Sequence, residues 1–159
     1  LSTAGIVPKI KMAHEEIGCM IAVSLHATDD KTRDVLVPIN KKWNLKQLLS
    51  SLRDDVKLRN SERVTFEYVM LDGVNDTKED ANRLVRLLQG LPSKINLIPF
   101  NTWTGSQYKR SSPDRIKAFR DIITKSKLPS PIRKPRGEDI MAACGQLKSS
   151  SIKEKASIL

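Results

Sequence analysis

The amino-acid sequence predicts an α/β fold in which parallel strands alternate with single helices. Three short stretches rich in apolar and β-branched residues, 21–26, 63–71 and 94–99, have the pattern of strands. Each is followed by a stretch whose apolar residues recur at helical spacing. Strands joined through one helix form right-handed crossovers and a parallel sheet. Three such units do not close an eight-stranded barrel, so we predict the second half of a larger, open (β/α) barrel.

The first strand has an unusual division of side chains. Alternation along a strand separates three large apolar residues from three small or polar ones. The apolar set is Ile21, Val23 and Leu25, and the other set is Ala22, Ser24 and His26. A face of small and polar residues is atypical of a buried strand. It suits a binding site at the carboxyl end of a strand in an α/β fold.

The later elements are indicated by capping and turn residues. Asn44, Thr77 and Ser112 each precede an apolar stripe and are expected to cap a helix. Between these helices, the strand at 63–71 closes at an Asp-Gly pair, and Gly90 ends the second helix before the strand at 94–99.

The composition excludes several classes of protein. No apolar run approaches the roughly 18 residues that a membrane span requires, and the N-terminus has no basic region followed by an apolar stretch. Cysteines at positions 19 and 144 are too few for a disulfide framework and suit a reducing compartment. We therefore expect a cytoplasmic protein without a membrane partner. Because the first residue is Leu1, we also expect the chain to begin within a longer protein.

The net charge of +10 is concentrated in the last third of the chain. Residues 1–100 contain 15 Lys and Arg against 13 Asp and Glu, whereas residues 101–159 contain 13 against 5. A basic region favours a polyanionic partner, because each neutralised phosphate releases counterions. The same charge also suits a solvated surface without a partner, and composition does not separate the two.

Residues 133–147 combine a basic loop, which Gly and Pro interrupt, with one cysteine, Cys144. Within this stretch, Asp139 can cap a short turn and Gly145 can end it. A thiol near several cations is placed where its thiolate form is favoured. On these residues alone, a small buried apolar role remains the simpler interpretation of Cys144.

Six ordered blocks of sequence resemble the bacterial adenine-C2 RNA methyltransferases of the radical S-adenosylmethionine class. The blocks are residues 136–147 (RGEDIMAACGQL), 2–8 (STAGIVP), 24–27 (SLHA), 37–40 (VPIN), 66–76 (FEYVMLDGVND) and 94–101 (KINLIPFN). The resemblance implies that residues 1–147 are the C-terminal part of a partial (β/α)6 radical SAM barrel. Residues 148–159, which include three consecutive serines, are expected to form a polar tail.

The resemblance also implies a reaction and its partners. Such enzymes methylate C2 of one adenosine in 23S rRNA and another in tRNA. They use S-adenosylmethionine and a [4Fe–4S] cluster, act as monomers and take electrons from a donor such as flavodoxin. Cys144 matches the cysteine that first accepts a methyl group and then carries it to the adenine as a carbon radical. The cofactor supplies the difficult chemistry, and the protein positions the groups.

Five residues match family positions that line the S-adenosylmethionine pocket. They are Ser2, Ser24, Leu25, His26 and Asn101. A sulfonium ligand with ribose hydroxyls needs hydroxyl, amide and backbone partners at strand ends, which these residues can supply. Simpler interpretations are a structural histidine for His26, an Asx turn for Asn101 and an unanchored terminus for Ser2.

The chain departs from the family in one important respect. A radical S-adenosylmethionine enzyme holds its cluster with a CxxxCxxC motif, and this sequence contains two cysteines in all. We therefore expect the chain to supply no metal ligands and to be inactive by itself. Two alternatives stay open: a relative that methylates C8 of adenosine, and a catalytically dead, basic RNA-binding remnant.

RNA contacts are expected in the basic last third of the chain. The candidates are Lys109, Arg110, Arg133, Lys134 and Arg136. Three of these cations precede the proposed carrier cysteine in sequence, where they could hold the backbone around a displaced adenosine.

Overall fold

A computed structural model of the chain describes residues 1–103 and 105–133. Strands and helices alternate along it. The strands are β1 (Ser2–Thr3), β2 (Ala22–Ser24), β3 (Val64–Met70) and β4 (Ser93–Pro99). The helices are α1 (Val7–Ile17), α2 (Asp30–Leu36), α3 (Leu45–Asp54), α4 (Lys78–Leu87) and α5 (Pro113–Lys125), with a 3-10 turn at Pro38–Lys41. The four strands form one parallel sheet in the order β1-β2-β3-β4, so the predicted α/β class with a parallel sheet is confirmed.

The three helices predicted from capping residues begin where expected. The side chain of Asn44 accepts from the backbone N–H of Gln47, and that of Thr77 accepts from Asp80, so both make a capping box. Ser112 caps α5 through the N–H of Arg115. These caps satisfy backbone donors that the first helical turn leaves unpaired.

The sequence prediction missed β1, α1 and α2. Helix α1 buries Ile10 and packs Val7 against the core, but this apolar stripe is short, and an exposed Met12 interrupts it. Helix α2 buries Arg33 in place of an apolar residue. Its signal was the N-cap Asp29, whose side chain accepts from the N–H of Thr32.

The hydrophobic core lies between one face of the sheet and the helices. Alternate residues of β3 and β4 are buried on that face, among them Phe66, Tyr68, Ile95 and Leu97. Helix α5 adds Phe119, whose ring centroid lies 5.3 Å from that of Tyr68. The opposite face of the sheet is therefore free of the main core.

The chain after α5 returns along the outer edge of β4. The N–H of Ile95 donates to the carbonyl of Pro129, and that of Leu97 donates to Pro131, over 2.8 and 3.0 Å. The N–H of Arg133 then donates to Leu97 over 2.8 Å. Residues 129–133 thus run parallel to β4 toward its carboxyl end.

The expected boundary between residues 147 and 148 lies outside the described residues. None of the helices that the structure describes is long and apolar enough to cross a membrane.

Phe119→Ala should lower the free energy of unfolding by about 3–5 kcal/mol, because it leaves a cavity against Tyr68. Urea unfolding followed by circular dichroism measures the change. Lys117→Ala, at an exposed position of the same helix, is the matched control and should stay within about 0.5 kcal/mol of the wild type. Equal losses in the two variants would contradict this account of the core.

Candidate functional site

The candidate site lies on the free face of the sheet, toward the carboxyl ends of the strands. Strand register aligns Ser24 with Glu67 and Glu67 with Asn96. All three are half-buried and alternate with core residues, so they form one polar row across that face. Residues that follow the strands extend this polar surface, which has the position expected of a ligand site in a parallel sheet.

His26 directly follows β2 and is held in an unusual backbone conformation. Its φ angle is +58°, a region that residues other than glycine seldom adopt. Its N–H donates to the carbonyl of Glu67 over 3.3 Å, and its ring Nδ1 accepts from the N–H of Val69 over 3.2 Å. An Nδ1 that accepts cannot carry the proton in the neutral ring, so Nε2 carries it.

The imidazole of His26 is kept neutral by its surroundings. Burial, and then the positive charge of Arg33, lower the pKa of His26 from 6.5 to about 4. Among residues 1–103 and 105–133, none accepts a hydrogen bond from Nε2. The ring therefore offers one neutral N–H donor at physiological pH.

Asn75 fixes the ends of β2 and β3 to each other. Its side-chain nitrogen donates to the carbonyls of His26 and Val69 over 2.7 and 2.8 Å, while its oxygen accepts from the N–H of Leu71 over 2.8 Å. Its own carbonyl accepts from the hydroxyl of Tyr68 over 2.7 Å. Asn75 is 1% exposed, so these bonds are shielded from water and stabilise the strained His26.

Arg33 holds the end of β2 from the side of β1. Its guanidinium is fully buried and donates to the carbonyls of Ala4, Ser24 and Leu25 over 2.8 to 3.0 Å. It also donates to the side-chain oxygen of Asn40 over 2.8 Å. Burial and the opposing effect of two nearby aspartates leave the pKa of Arg33 at about 10, so it stays charged.

The five residues predicted to line a cofactor pocket have different environments. Ser24 and His26 lie on the polar face, and Ser2 pairs with Ala22 at the outer strand, where it is exposed. The side chain of Leu25 is fully buried in the core, so only its backbone can reach the polar face.

Asn101 follows β4 by two residues, and its side chain has an unusual environment. Its Oδ1 atom is buried and has no hydrogen-bond partner among the residues that the structure describes. Buried polar atoms are normally paired, and an orphaned one calls for a ligand or water. Nearby, Phe100 and Trp103 stack edge to face with centroids 5.1 Å apart.

The predicted RNA-binding cations fall into two groups. Lys109 and Arg110 are exposed and lie beside the end of β3, because the N–H of Asp72 donates to Lys109 over 3.0 Å and Leu71 bridges to Arg110. Arg133 is exposed beside β4. The remaining predicted site residues, Lys134, Arg136 and Cys144, lie outside the described residues.

Sequence reasoning missed four residues of this site: Arg33, Glu67, Asn75 and Asn96. Glu67 and Asn96 had a visible signal, because each is a polar residue at alternate spacing inside an apolar strand. Arg33 and Asn75 had none, since their partners are mostly backbone carbonyls from other elements. In the described part of the chain, no group of three or more His, Cys, Asp or Glu could hold a metal ion.

The chain is similar to curated proteins over almost its whole length. It is 66% identical over 157 residues to Dual-specificity RNA methyltransferase RlmN of Cereibacter sphaeroides, across 99% of this chain and 40% of that protein. The chain is an RlmN homologue. The RlmN of Paracoccus denitrificans is likewise 66% identical, over 151 residues that cover 95% of this chain and 39% of that protein. The chain thus spans about two fifths of the length of these RlmN relatives, and no family model matches it.

Two solved structures are similar to this chain. A radical SAM methyltransferase from Sphaerobacter thermophilus superposes with a TM-score of 0.84 at 44% identity, over 91% of this chain and 42% of that one. A domain of pyruvate-formate lyase-activating enzyme from Bacteroides vulgatus shares the fold, with a TM-score of 0.59 at 17% identity over 80% of this chain and 73% of that one. The sheet of this RlmN homologue is therefore built like that of a radical SAM methyltransferase.

Acid should destabilise the folded protein partly through His26. Because the folded state lowers the pKa of His26 from 6.5 to about 4, the unfolded chain binds this proton first as the pH falls. The resulting loss of stability between pH 6.5 and 4 should reach about 3 kcal/mol. Free energies of unfolding measured across this window test the expectation.

His26→Asn should remove that part of the pH dependence. Asparagine tolerates positive φ and keeps an acceptor for Val69, but it does not titrate. His14→Asn, at the other histidine of the chain, should leave the contribution of His26 in place. A wild-type pH profile that His26→Asn does not flatten would contradict the assignment.

Proposed function

We propose that this chain is part of an RNA methyltransferase that methylates C2 of adenosine in 23S rRNA and tRNA by a radical mechanism. The observation that carries the proposal is the 66% identity to RlmN proteins over 157 of the 159 residues. An alignment of that length necessarily includes Cys144.

The residues at the carboxyl ends of the strands fit S-adenosylmethionine. The His26 ring offers an N–H donor, Ser24 offers a hydroxyl, and Asn101 offers a buried oxygen that has no partner among the described residues. These groups match the ribose hydroxyls and amino-acid moiety of the cofactor, which has donors and acceptors in about equal number. When bound, S-adenosylmethionine supplies a methyl group and, on reductive cleavage, the radical chemistry that transfers it. We propose that Ser2 and the backbone of Leu25 complete this pocket.

The residues of this chain do not fit the iron–sulfur cluster. A [4Fe–4S] cluster in this class needs three cysteine thiolates, and with Cys144 in another role the chain retains Cys19 alone. Cys19 is half-buried, and its thiol lies 3.5 Å from the carbonyl of Ala13 in α1. It precedes β2, at the edge of the sheet opposite to that of His26 and Asn101. We propose that the cluster ligands belong to the part of the relatives that this chain does not span, so that catalysis needs both parts.

Cys144 is the proposed methyl carrier. It follows Arg133 by eleven residues, and such a stretch of chain reaches at most about 40 Å. Arg133 lies level with the last residues of β4, near the carboxyl edge where Ser24, His26 and Asn101 are found. A position of Cys144 at that edge is within this reach, and the carrier role itself rests on the match of residues 136–147 to the methyltransferase family.

The proposed setting of the enzyme follows from its substrates. Ribosomal and transfer RNA are modified in the bacterial cytoplasm, so we propose that the enzyme works there. A monomer suffices to bring one RNA to one cofactor. Reductive cleavage also needs an electron donor, for which we propose a small redox protein such as flavodoxin.

Cys144→Ala in the full-length protein should abolish RNA methylation, because no other atom in the chain is proposed to carry the methyl group. Transfer of label from methyl-labelled S-adenosylmethionine to RNA measures the effect, and circular dichroism checks the fold. Cys19→Ala, at the second cysteine of the chain, is the matched control and should retain activity. Substantial methylation by Cys144→Ala would exclude the carrier role.

Removal of the proposed RNA-binding cations should weaken RNA affinity and its salt dependence. Arg133→Ala, Lys134→Ala and Arg136→Ala combined, or Lys109→Ala and Arg110→Ala combined, should each lower the salt slope by about one per lost phosphate contact. RNA titrations at several salt concentrations give the slope.

The control for this experiment is Arg63→Ala with Lys125→Ala. Both residues are exposed and lie at the amino edge of the sheet, since Arg63 precedes β3 and Lys125 ends α5. Their loss should leave the slope nearly unchanged. Equal effects of the control and test variants would mean that the tested cations form a solvated surface and that RNA binds elsewhere.

A further inference from the structure

Glu67 occupies a position in the sheet that a buried strand normally gives to an apolar residue. Its neighbours Phe66 and Tyr68 are fully buried on the helix side of β3. Alternation along the strand therefore turns Glu67 to the polar face. There it stands in register between Ser24 of β2 and Asn96 of β4, at the centre of the polar row.

The carboxylate of Glu67 has no partner in the described part of the chain, whether a hydrogen-bond donor or a cation. The buried carboxylates nearby are paired: Asp76 with Arg115, and Asp80 with Arg83 and Thr28. Glu67 is only half-buried, and its oxygens are not among the buried unpaired atoms of the described residues. Its carboxylate therefore reaches solvent on the polar face and can bind a group of positive charge.

The surroundings of Glu67 distinguish its role from that of its neighbours. Ser24, Asn96 and Asn101 are neutral and can bind hydroxyl or amide groups of a ligand. Lys94 lies one row away on the same face, where it is exposed, and makes no ion pair with any described residue. Glu67 is therefore the negative charge of this row, and its position favours a cation at the centre of the polar face.

We propose that the Glu67 carboxylate binds the sulfonium end of S-adenosylmethionine and so selects the charged cofactor over its neutral thioether product. This inference rests on the proposed function and assigns a residue that the function itself does not require. The sulfonium carries a full positive charge, which S-adenosylhomocysteine lacks. The two molecules share their ribose, adenine and amino-acid groups. A carboxylate that faces the sulfur therefore discriminates between them, whereas hydrogen bonds to the shared groups do not.

The test compares the dissociation constants of the two molecules for the full-length, cluster-reconstituted protein under anaerobic conditions. Glu67→Gln keeps the shape of the side chain and removes its charge. It should weaken binding of S-adenosylmethionine roughly tenfold and that of S-adenosylhomocysteine less than about twofold. Glu67→Asp should recover part of the preference. Glu79→Gln, at an exposed position of α4, should change neither constant.

A second variant acts in the opposite direction. Asn96→Asp adds a carboxylate beside Glu67 in the same row and should raise the preference for the sulfonium compound. It keeps the proposal testable if Glu67→Gln fails to fold, which circular dichroism would reveal.

The outcomes separate this inference from the proposed function. Equal weakening of both molecules by Glu67→Gln, or no weakening of either, overturns the sulfonium assignment while cofactor binding stands. An unchanged preference in Asn96→Asp also overturns it. If the wild type binds neither molecule, the proposed function fails and the inference fails with it.

Discussion

The buried guanidinium of Arg33 is the interaction on which the polar face depends. Its guanidinium donates to backbone carbonyls at the end of β2 and to that of Ala4 near β1, and a hydrogen bond from a charged group contributes about 1.5–3 kcal/mol. One planar group with five N–H donors reaches them together with Asn40. Lysine could not replace it, because an ammonium has three donors around a single point. The carboxyl ends of the first two strands are thus joined through one side chain from α2.

The two faces of the sheet have different roles in this arrangement. The helix side contains the hydrophobic core and supplies most of the stability by burial. On the other face, Arg33 and Asn75 fix the backbone at the ends of β2 and β3, and the N–H of Val69 orients the ring of His26. A ligand that binds the His26 ring therefore meets a donor that is already oriented, which reduces the entropy lost on binding.

The sequence allowed prediction of those parts of the fold that repeat a pattern. Strands β3 and β4 and helices α3 to α5 have clear periodicity and capping residues, and they were predicted to within a few residues. Strand β1 has two residues and no period at all. The tautomer of His26 depends on the N–H of Val69, 43 residues further along the chain, and the burial of the Asn101 oxygen depends on the packing of the whole fold, so no local pattern could reveal them. The resemblance identified both positions, but it could not supply the physical state of either side chain.

The conformation of Gly5 has a consequence for how this fold can diverge. A β-carbon there would meet Arg33 at 3.3 Å and two methyl groups of Leu48 at 3.3 and 3.4 Å, and its φ angle is +107°. Three constraints of separate origin, two steric and one torsional, therefore act on the same position. Relaxing any one of them leaves the others in force, so a descendant that had lost Arg33 would still be confined to glycine here. Substitutions can therefore accumulate one at a time among the side chains around Gly5, but the backbone conformation of this loop has to stay the same.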